Sequence, residues 1–172
     1  LKVVRDLFNQ NVLKSEWLHP TEFPSMKGRK VVSIDLETCD TDLKKMGPGW
    51  PRKVGSVIGI AISSGDFTAY YPIAHEGGGN MDEKKVLKYI KSVCEDESIA
   101  KVFHNAQYDI GWLSTLDIEV RGYIHDTMIA SALLNENRYS YTLNQMCIDY
   151  LGEWKDEKVL KAKAEELGLD PK

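Results

Sequence analysis

The stretch VVSIDLE, residues 31–37, decides the fold class of this chain. It is rich in β-branched residues, which favour a β-strand. Because successive side chains of a strand point to opposite faces, its apolar side chains share one face, whereas Asp35 and Glu37 lie on the other. The stretch therefore predicts a strand with one buried face that ends at a pair of carboxylates.

Two more strand-like runs follow it, VGSVIGIAIS (54–63) and FTAYYPI (67–73), and we expect the three strands to form an antiparallel meander. After the glycine loop at 77–79 the apolar residues adopt a helical spacing, with Asn80 and Glu83 placed for a capping box. The later runs predict a short strand, a helix, an extended segment and two helices: KVF (101–103), AQYDIGWLSTL (106–116), Tyr123–His125, DTMIASALLN (126–135) and TLNQMCIDYL (142–151). Strands followed by alternating helices and strands predict an α/β fold with a mixed sheet.

Length and composition indicate one globular domain. The chain has 172 residues, of which 42% are hydrophobic and 28% charged, and no apolar run approaches the roughly 20 residues of a membrane span. The first residue is Leu, so we expect a piece of a longer protein. We divide it into a lead-in at 1–29 with a possible helix from Val4 to Leu13, a domain at 30–152, and a helical tail at 153–172.

Charge and cysteine usage exclude some classes of protein. The three cysteines form no CxxC pair, which argues against zinc and against a disulfide framework and favours a reducing, cytoplasmic compartment. A net charge of −4 argues against a broad basic face that grips duplex DNA. It is compatible with an enzyme that binds one nucleic-acid end through metal ions.

The acidic pair Asp35 and Glu37 is the first candidate site. Two carboxylates this close repel each other and resist desolvation, and a divalent cation such as Mg²⁺ or Mn²⁺ removes both problems. The alternative is a solvated strand end without function.

The second candidate is HNAQYDIGWL, residues 104–113, which follows a short strand. Asn105 and Asp109 are four residues apart, so on a helix they would share one face at the edge of a cleft. The alternative is local: Asn105 caps the helix and Asp109 is an exposed helix charge. Tyr108 is interpreted as packing with Trp112 rather than as a stacking platform for bases.

The segments DLET, HNAQYD and HDTMIASALLN, taken together, resemble the DEDD exonucleases of the ribonuclease H-like fold. The match is best with the proofreading domain of family A DNA polymerases, especially phage-type ones, and AYYPIAHEGG and YTLNQMCIDYLG extend it over about 30–152. The resemblance implies a mixed sheet, an antiparallel meander followed by parallel strands, flanked by helices. Asp126 is interpreted mainly as a helix N-cap at the edge of this site.

The resemblance also implies a site with two Mg²⁺ or Mn²⁺ ions that clamp the scissile phosphate. Asp35 would bridge both ions, Glu37 would bind the ion on the nucleophile side, and Asp109 would hold the other. Asn105 would lie close to the substrate strand. Next to the acidic pair, Leu36 and Thr38 are the candidates for splaying the terminal nucleotides.

The sequence departs from the family at its third motif, a Tyr and an Asp separated by three residues on a late helix. No such pair follows Leu143. We expect that the chain ends before this motif and that it is weakly active or inactive alone.

The function we predict is a 3′→5′ exonuclease domain that is joined to a polymerase domain and removes mismatched 3′ ends from single-stranded DNA. The location would be cytoplasmic, in the host if the gene belongs to a phage, without a membrane. Two alternatives stay open: a non-catalytic nucleic-acid-binding domain on the same fold, and an RNA-trimming relative of ribonuclease D.

Overall fold

A computed structural model describes residues 20–76 and 79–153 and the single residue Ala162. Contacts between Cα atoms divide the chain into two units, His19–Arg138, and Tyr139–Lys172 with Leu1–Leu18. The helix expected from Val4 to Leu13 and nearly all of the expected tail helix lie outside the described residues. Among the described residues, no helix has the length and apolar character to cross a bilayer.

A mixed five-stranded sheet forms the centre of the unit His19–Arg138, with the strand order β3-β2-β1-β4-β5. Its first three strands pair antiparallel, whereas β4 pairs parallel with β1 and with β5. This confirms the predicted meander followed by parallel strands. The strands are β1 Val31–Cys39, β2 Ser56–Ser64, β3 Phe67–Pro72, β4 Ala100–Phe103 and β5 Ile124–Asp126.

The helices of this unit are α1 Leu43–Met46, α2 Glu83–Cys94, α3 Ala106–Thr115 and α4 Thr127–Leu134, and a 3₁₀ turn spans Trp50–Arg52. In the other unit, α5 Leu143–Leu151 begins at Thr142, whose hydroxyl accepts from the backbone of Gln145. The connection between β1 and β2 contains α1 and the 3₁₀ turn.

The start of α2 differs from the predicted capping box. Asp82 is the N-cap and accepts a hydrogen bond from the Lys85 backbone at 3.1 Å, so Asn80 lies outside the helix. The Asn80 side chain instead accepts a hydrogen bond from the His75 backbone N–H at 2.7 Å and donates one to the His75 carbonyl at 2.8 Å. An aspartate at the cap position satisfies the first turn without the Asn80 side chain.

Burial in the core accounts for the alternation of apolar and polar residues along β1. Val32, Ile34 and Leu36 are 0%, 3% and 7% exposed, respectively, whereas Asp35 and Glu37 on the opposite face are exposed. Each fully buried aliphatic side chain contributes about 1.5–3 kcal/mol. The register of β1 is therefore fixed by burial, and with it the side of the sheet that carries the acidic pair.

A bulge distorts β2 beside this pair. Glu37 is opposite Gly59 and Thr38 is opposite Val57, which leaves Ile58 as an extra residue on β2. Its carbonyl accepts from the backbones of Ile73 and Ala74 at 2.9 and 3.1 Å. Bulges bend a strand and re-aim neighbouring side chains, and this one lies where β1 delivers its second carboxylate.

Candidate active site

Asp35 and Glu37 project from the face of the sheet opposite the core, named here the carboxylate face. β1 is central, flanked by β2 and by the parallel β4. The chain leaves β4 at Phe103 and enters α3 at Ala106. Because β1 and β4 run in the same direction, their carboxyl ends meet at one edge of the sheet, and the first turn of α3 lies beside the acidic pair.

Asp109 is the buried member of the site. It is only 3% exposed, and its Oδ1 accepts a hydrogen bond from the backbone N–H of Leu36 at 3.1 Å. Burial, followed by the negative charge of Asp35, raises the pKa of Asp109 to about 7. The alternative interpretation of Asp109 as an exposed helix charge is therefore wrong, because the helix turns this residue onto β1.

Leu36 meets the site through its backbone. Its side chain is 7% exposed and belongs to the core, whereas its N–H points to Asp109. The main chain of the first motif is thus joined by one hydrogen bond to the carboxylate of the second motif.

Asp126 links two helices. Its carboxylate accepts from Met128 and Ile129 in its own helix α4, which confirms the predicted N-cap. It also accepts from the backbones of Asn105 and Ala106 at 3.1 and 2.8 Å, at the start of α3. Burial opposes ionisation, but these four N–H groups outweigh it and hold the pKa of Asp126 below its usual value.

Asn105 occupies the N-cap position of α3 without capping it through its side chain. Its φ of 69° is in the left-handed region, which Asn tolerates better than most residues. The capping bonds come from Asp126 instead, and Asn105 is exposed. A groove of about 500 Å³ begins there and continues along the first turn of α4, past Asp126 and Met128.

Thr38 is held by a network that the sequence did not reveal. Its hydroxyl lies 2.7 Å from the Tyr108 hydroxyl, which donates to Asp40 Oδ2 at 3.2 Å. The same oxygen accepts from the Gly49 backbone at 2.9 Å. The sequence shows two aspartates in this loop at Asp40 and Asp42, and no local signal distinguishes the one that anchors Tyr108.

The aromatic side chains of α3 pack as expected. Trp112 is 2% exposed, and its ring meets Tyr108 edge-on with centroids 6.4 Å apart. Tyr108 keeps its hydroxyl in the polar network above.

The donor set fits a hard divalent cation. Asp35 and Asp109 are close enough for one charge to raise the pKa of the other, and Glu37 follows two residues later on the same face. Oxygen-only ligands of this kind suit Mg²⁺ and Mn²⁺ rather than zinc. Within the described residues, however, no three His, Cys, Asp or Glu side chains form a preassembled metal cluster.

The family of the chain follows from its similarity to known proteins. Residues 22–167 match the family of 3′–5′ exonuclease domains found in family A DNA polymerases. The chain is 37% identical over 166 residues to the DNA-directed DNA polymerase of Pseudomonas phage M6, covering 93% of this chain and 25% of that protein. It is 30% identical over 129 residues to DNA polymerase I of Pseudomonas aeruginosa, covering 72% of this chain and 14% of that protein.

Among solved structures, the fold resembles Brucella melitensis NrnC with bound Mg²⁺. The TM-score is 0.57 at 24% identity, over 77% of this chain and 60% of that one. This likeness supports the ribonuclease H-like α/β fold. The chain spans a quarter or less of the length of these two curated relatives. It belongs to the 3′–5′ exonuclease domain family of family A DNA polymerases.

Proposed function

We propose that this domain is a cation-dependent 3′→5′ exonuclease that removes mismatched nucleotides from single-stranded 3′ DNA ends. The observation that carries the proposal is the burial of Asp109 against the charge of Asp35. A buried carboxylate beside a second carboxylate ionises at a large cost unless a cation joins them. A divalent cation bound between Asp35 and Asp109 would offset this cost of ionisation.

Asp35, Glu37 and Asp109 would hold the cations, two in the complete domain. When bound, the cations would stabilise charge on the scissile phosphate and lower the pKa of a bound water. The protein's own part is positional. The Leu36 N–H fixes Asp109, and the Tyr108–Asp40 network fixes Thr38 beside the acidic pair.

Asn105 is proposed as a contact to the substrate strand. It is exposed at the start of α3, four residues before Asp109, and it lines the groove along α4. Thr38 and Leu36 would border the terminal nucleotides, Leu36 through its backbone. Amide and hydroxyl groups of this kind position phosphates and sugars without reading sequence.

The native partner is proposed to be a polymerase domain in the same polypeptide, and residues 30–152 are proposed as the exonuclease domain. The proposed location is cytoplasmic, in the host cell if the gene belongs to a phage. The support is that both curated relatives are DNA polymerases much longer than this chain. Since no Tyr-x-x-x-Asp follows Leu143, we propose that the chain by itself has weak or no activity.

Metal binding and cleavage should be measured together. Mn²⁺ binding would be followed by electron paramagnetic resonance, and cleavage by gels of 5′-labelled single-stranded DNA and of RNA of the same sequence. The wild-type chain should bind Mn²⁺, and Asp35→Asn should weaken binding at least tenfold, with any 3′ shortening of DNA lost in the same variant.

Each other outcome has a definite meaning. Equal Mn²⁺ binding by both proteins would refute the metal site. Binding of labelled DNA that is independent of Mn²⁺ and Asp35, without shortening, would favour a non-catalytic binding domain. Shortening of the RNA in preference to the DNA would overturn the DNA substrate and favour the ribonuclease D-like alternative.

A further inference from the structure

Tyr70 lies on the carboxylate face of the sheet. In the strand register Asp35 is opposite Ala61, and Ala61 is opposite Tyr70. The next residue, Tyr71, is wholly buried on the core side, so Tyr70 must face the other way. An aromatic side chain thus stands two strands away from the proposed metal ligands, on the same surface.

Gly59 allows this side chain to reach β1. It is the residue opposite Glu37, and a Cβ built on it would lie 1.9 Å from the Tyr70 hydroxyl oxygen. The ring of Tyr70 therefore runs diagonally across β2 and passes over Gly59. Its hydroxyl ends over the residue that pairs with Glu37, which only a glycine at this position permits.

His75 holds the hydroxyl in place. Its Nε2 lies 2.5 Å from the Tyr70 oxygen, and the two rings meet edge-on with centroids 5.8 Å apart. The backbone of His75 is in turn fixed by its two hydrogen bonds with the Asn80 side chain. Asn80 thus fixes the backbone of His75, and the His75 ring in turn holds the Tyr70 hydroxyl.

Glu37 lies opposite Gly59 in the strand register, on the face where the Tyr70 hydroxyl ends. In agreement, burial, followed by the charge of Glu37, raises the pKa of Tyr70 to about 12. A tyrosine hydroxyl can donate as well as accept, whereas an ionised Glu37 can only accept. If His75 donates its Nε2–H to the Tyr70 oxygen, the tyrosine proton is available to an acceptor such as Glu37.

We propose that Tyr70, oriented by His75 over Gly59, is a positioning residue for Glu37. Its hydroxyl fixes the Glu37 carboxylate, through one bridging water, in the orientation that receives a divalent cation. This inference rests on the proposed function, in which Glu37 is a metal ligand. Outer groups that orient a metal-binding carboxylate are typically worth about 10–100-fold in metal affinity.

Mn²⁺ affinity of the whole chain, measured by electron paramagnetic resonance, tests the proposal. Tyr70→Phe keeps the ring and removes only the hydroxyl, and it should weaken Mn²⁺ binding about tenfold. Tyr71→Phe is the matched control, because its hydroxyl donates to the Glu22 carbonyl at 3.2 Å from the core side of the same strand. This control should bind Mn²⁺ as the wild type does, and thermal unfolding should show that both variants are folded.

The variant Glu37→Gln separates failure of the inference from failure of the function. If Glu37→Gln weakens binding and Tyr70→Phe does not, the role of Tyr70 is refuted and the metal site stands. If Glu37→Gln itself binds Mn²⁺ normally, Glu37 is not a ligand and the inference about Tyr70 falls, whereas the metal site is still decided by Asp35→Asn.

The substitution Gly59→Ala tests the position of the Tyr70 hydroxyl in a second way. Its new methyl group would displace the Tyr70 hydroxyl, so Mn²⁺ affinity should fall as in Tyr70→Phe. Because both changes act through one hydroxyl, the double variant should lose little more affinity than Tyr70→Phe alone. Additive losses would contradict the proposed path from Gly59 through Tyr70 to Glu37.

Discussion

Replacement of Asp109 by asparagine should stabilise the cation-free domain at neutral and alkaline pH. The side chain is 3% exposed, and its pKa is raised from 3.8 to about 7. A shift of this size corresponds to about 4 kcal/mol at 1.36 kcal/mol per pKa unit, as an upper value. The new amide would be neutral and would keep an oxygen for the Leu36 N–H, so we expect a gain of about 2–4 kcal/mol at pH 8.

The size of the effect changes with pH in a defined way. Below about pH 4 the Asp109 carboxyl is neutral in the folded and unfolded chain, so Asp109→Asn should differ little from the wild type. Between there and pH 7 the unfolded chain releases this proton while the folded chain keeps it, and the wild type loses stability relative to the variant. Above pH 7 the gap should stay constant.

Urea unfolding in EDTA at a series of pH values from about 4 to 8 would measure this gap. Asp42→Asn is a suitable control, since Asp42 makes no capping hydrogen bond and lies in the loop after β1. A gap that does not depend on pH, or an Asp109→Asn variant that is less stable at pH 8, would contradict the burial argument.

Three further predictions concern the cation and the neighbouring network. Millimolar Mn²⁺ should raise the Tm of the wild type and leave that of Asp109→Asn nearly unchanged, as scanning calorimetry with and without EDTA would show. Asp126→Ala should cost about 2–4 kcal/mol in urea unfolding, because four backbone N–H groups of two helices lose their acceptor. Since folding lowers the pKa of Asp126, the charge-dependent part of this contribution should be complete above about pH 4 and be lost as pH falls through the lower folded pKa. A loss of stability that stayed the same at every acid pH would count against this account. Tyr108→Phe should lower the free energy of unfolding by about 1 kcal/mol, because it breaks the hydrogen-bonded bridge between Thr38 and Asp40. The same variant should bind single-stranded DNA more weakly, as measured by fluorescence anisotropy, with a smaller effect on Mn²⁺ binding.

Much of the fold could be predicted because its signals are local. Alternation along 31–37 places Asp35 and Glu37 on one face before any partner strand is known, and the structure confirms that pattern. The helical face of α2 is confirmed in the same way, since Val86, Ile90 and Val93 are buried. The misplaced capping box at Asn80 shows the limit, because two polar residues near a helix start offer competing caps.

The site was only partly predictable for a different reason. The motifs identify Asp35, Glu37 and Asp109 as candidates, but burial of Asp109 depends on how α3 lies against β1. Asp40 and Tyr70 give no motif signal of their own. Their relevance appears only when the chain brings each against a partner far away in the sequence.

The sequence by itself determined the strand and helix order, the face that carries the acidic pair, and the exonuclease family, because periodicity and motif spacing are properties of short segments. Tertiary structure alone decided which carboxylate is buried, that Asp126 caps two helices, and that the Tyr70 hydroxyl crosses Gly59 toward Glu37. Those features depend on strand register and on how α3 and α4 pack at the ends of the strands, which set distances between residues that no local pattern relates.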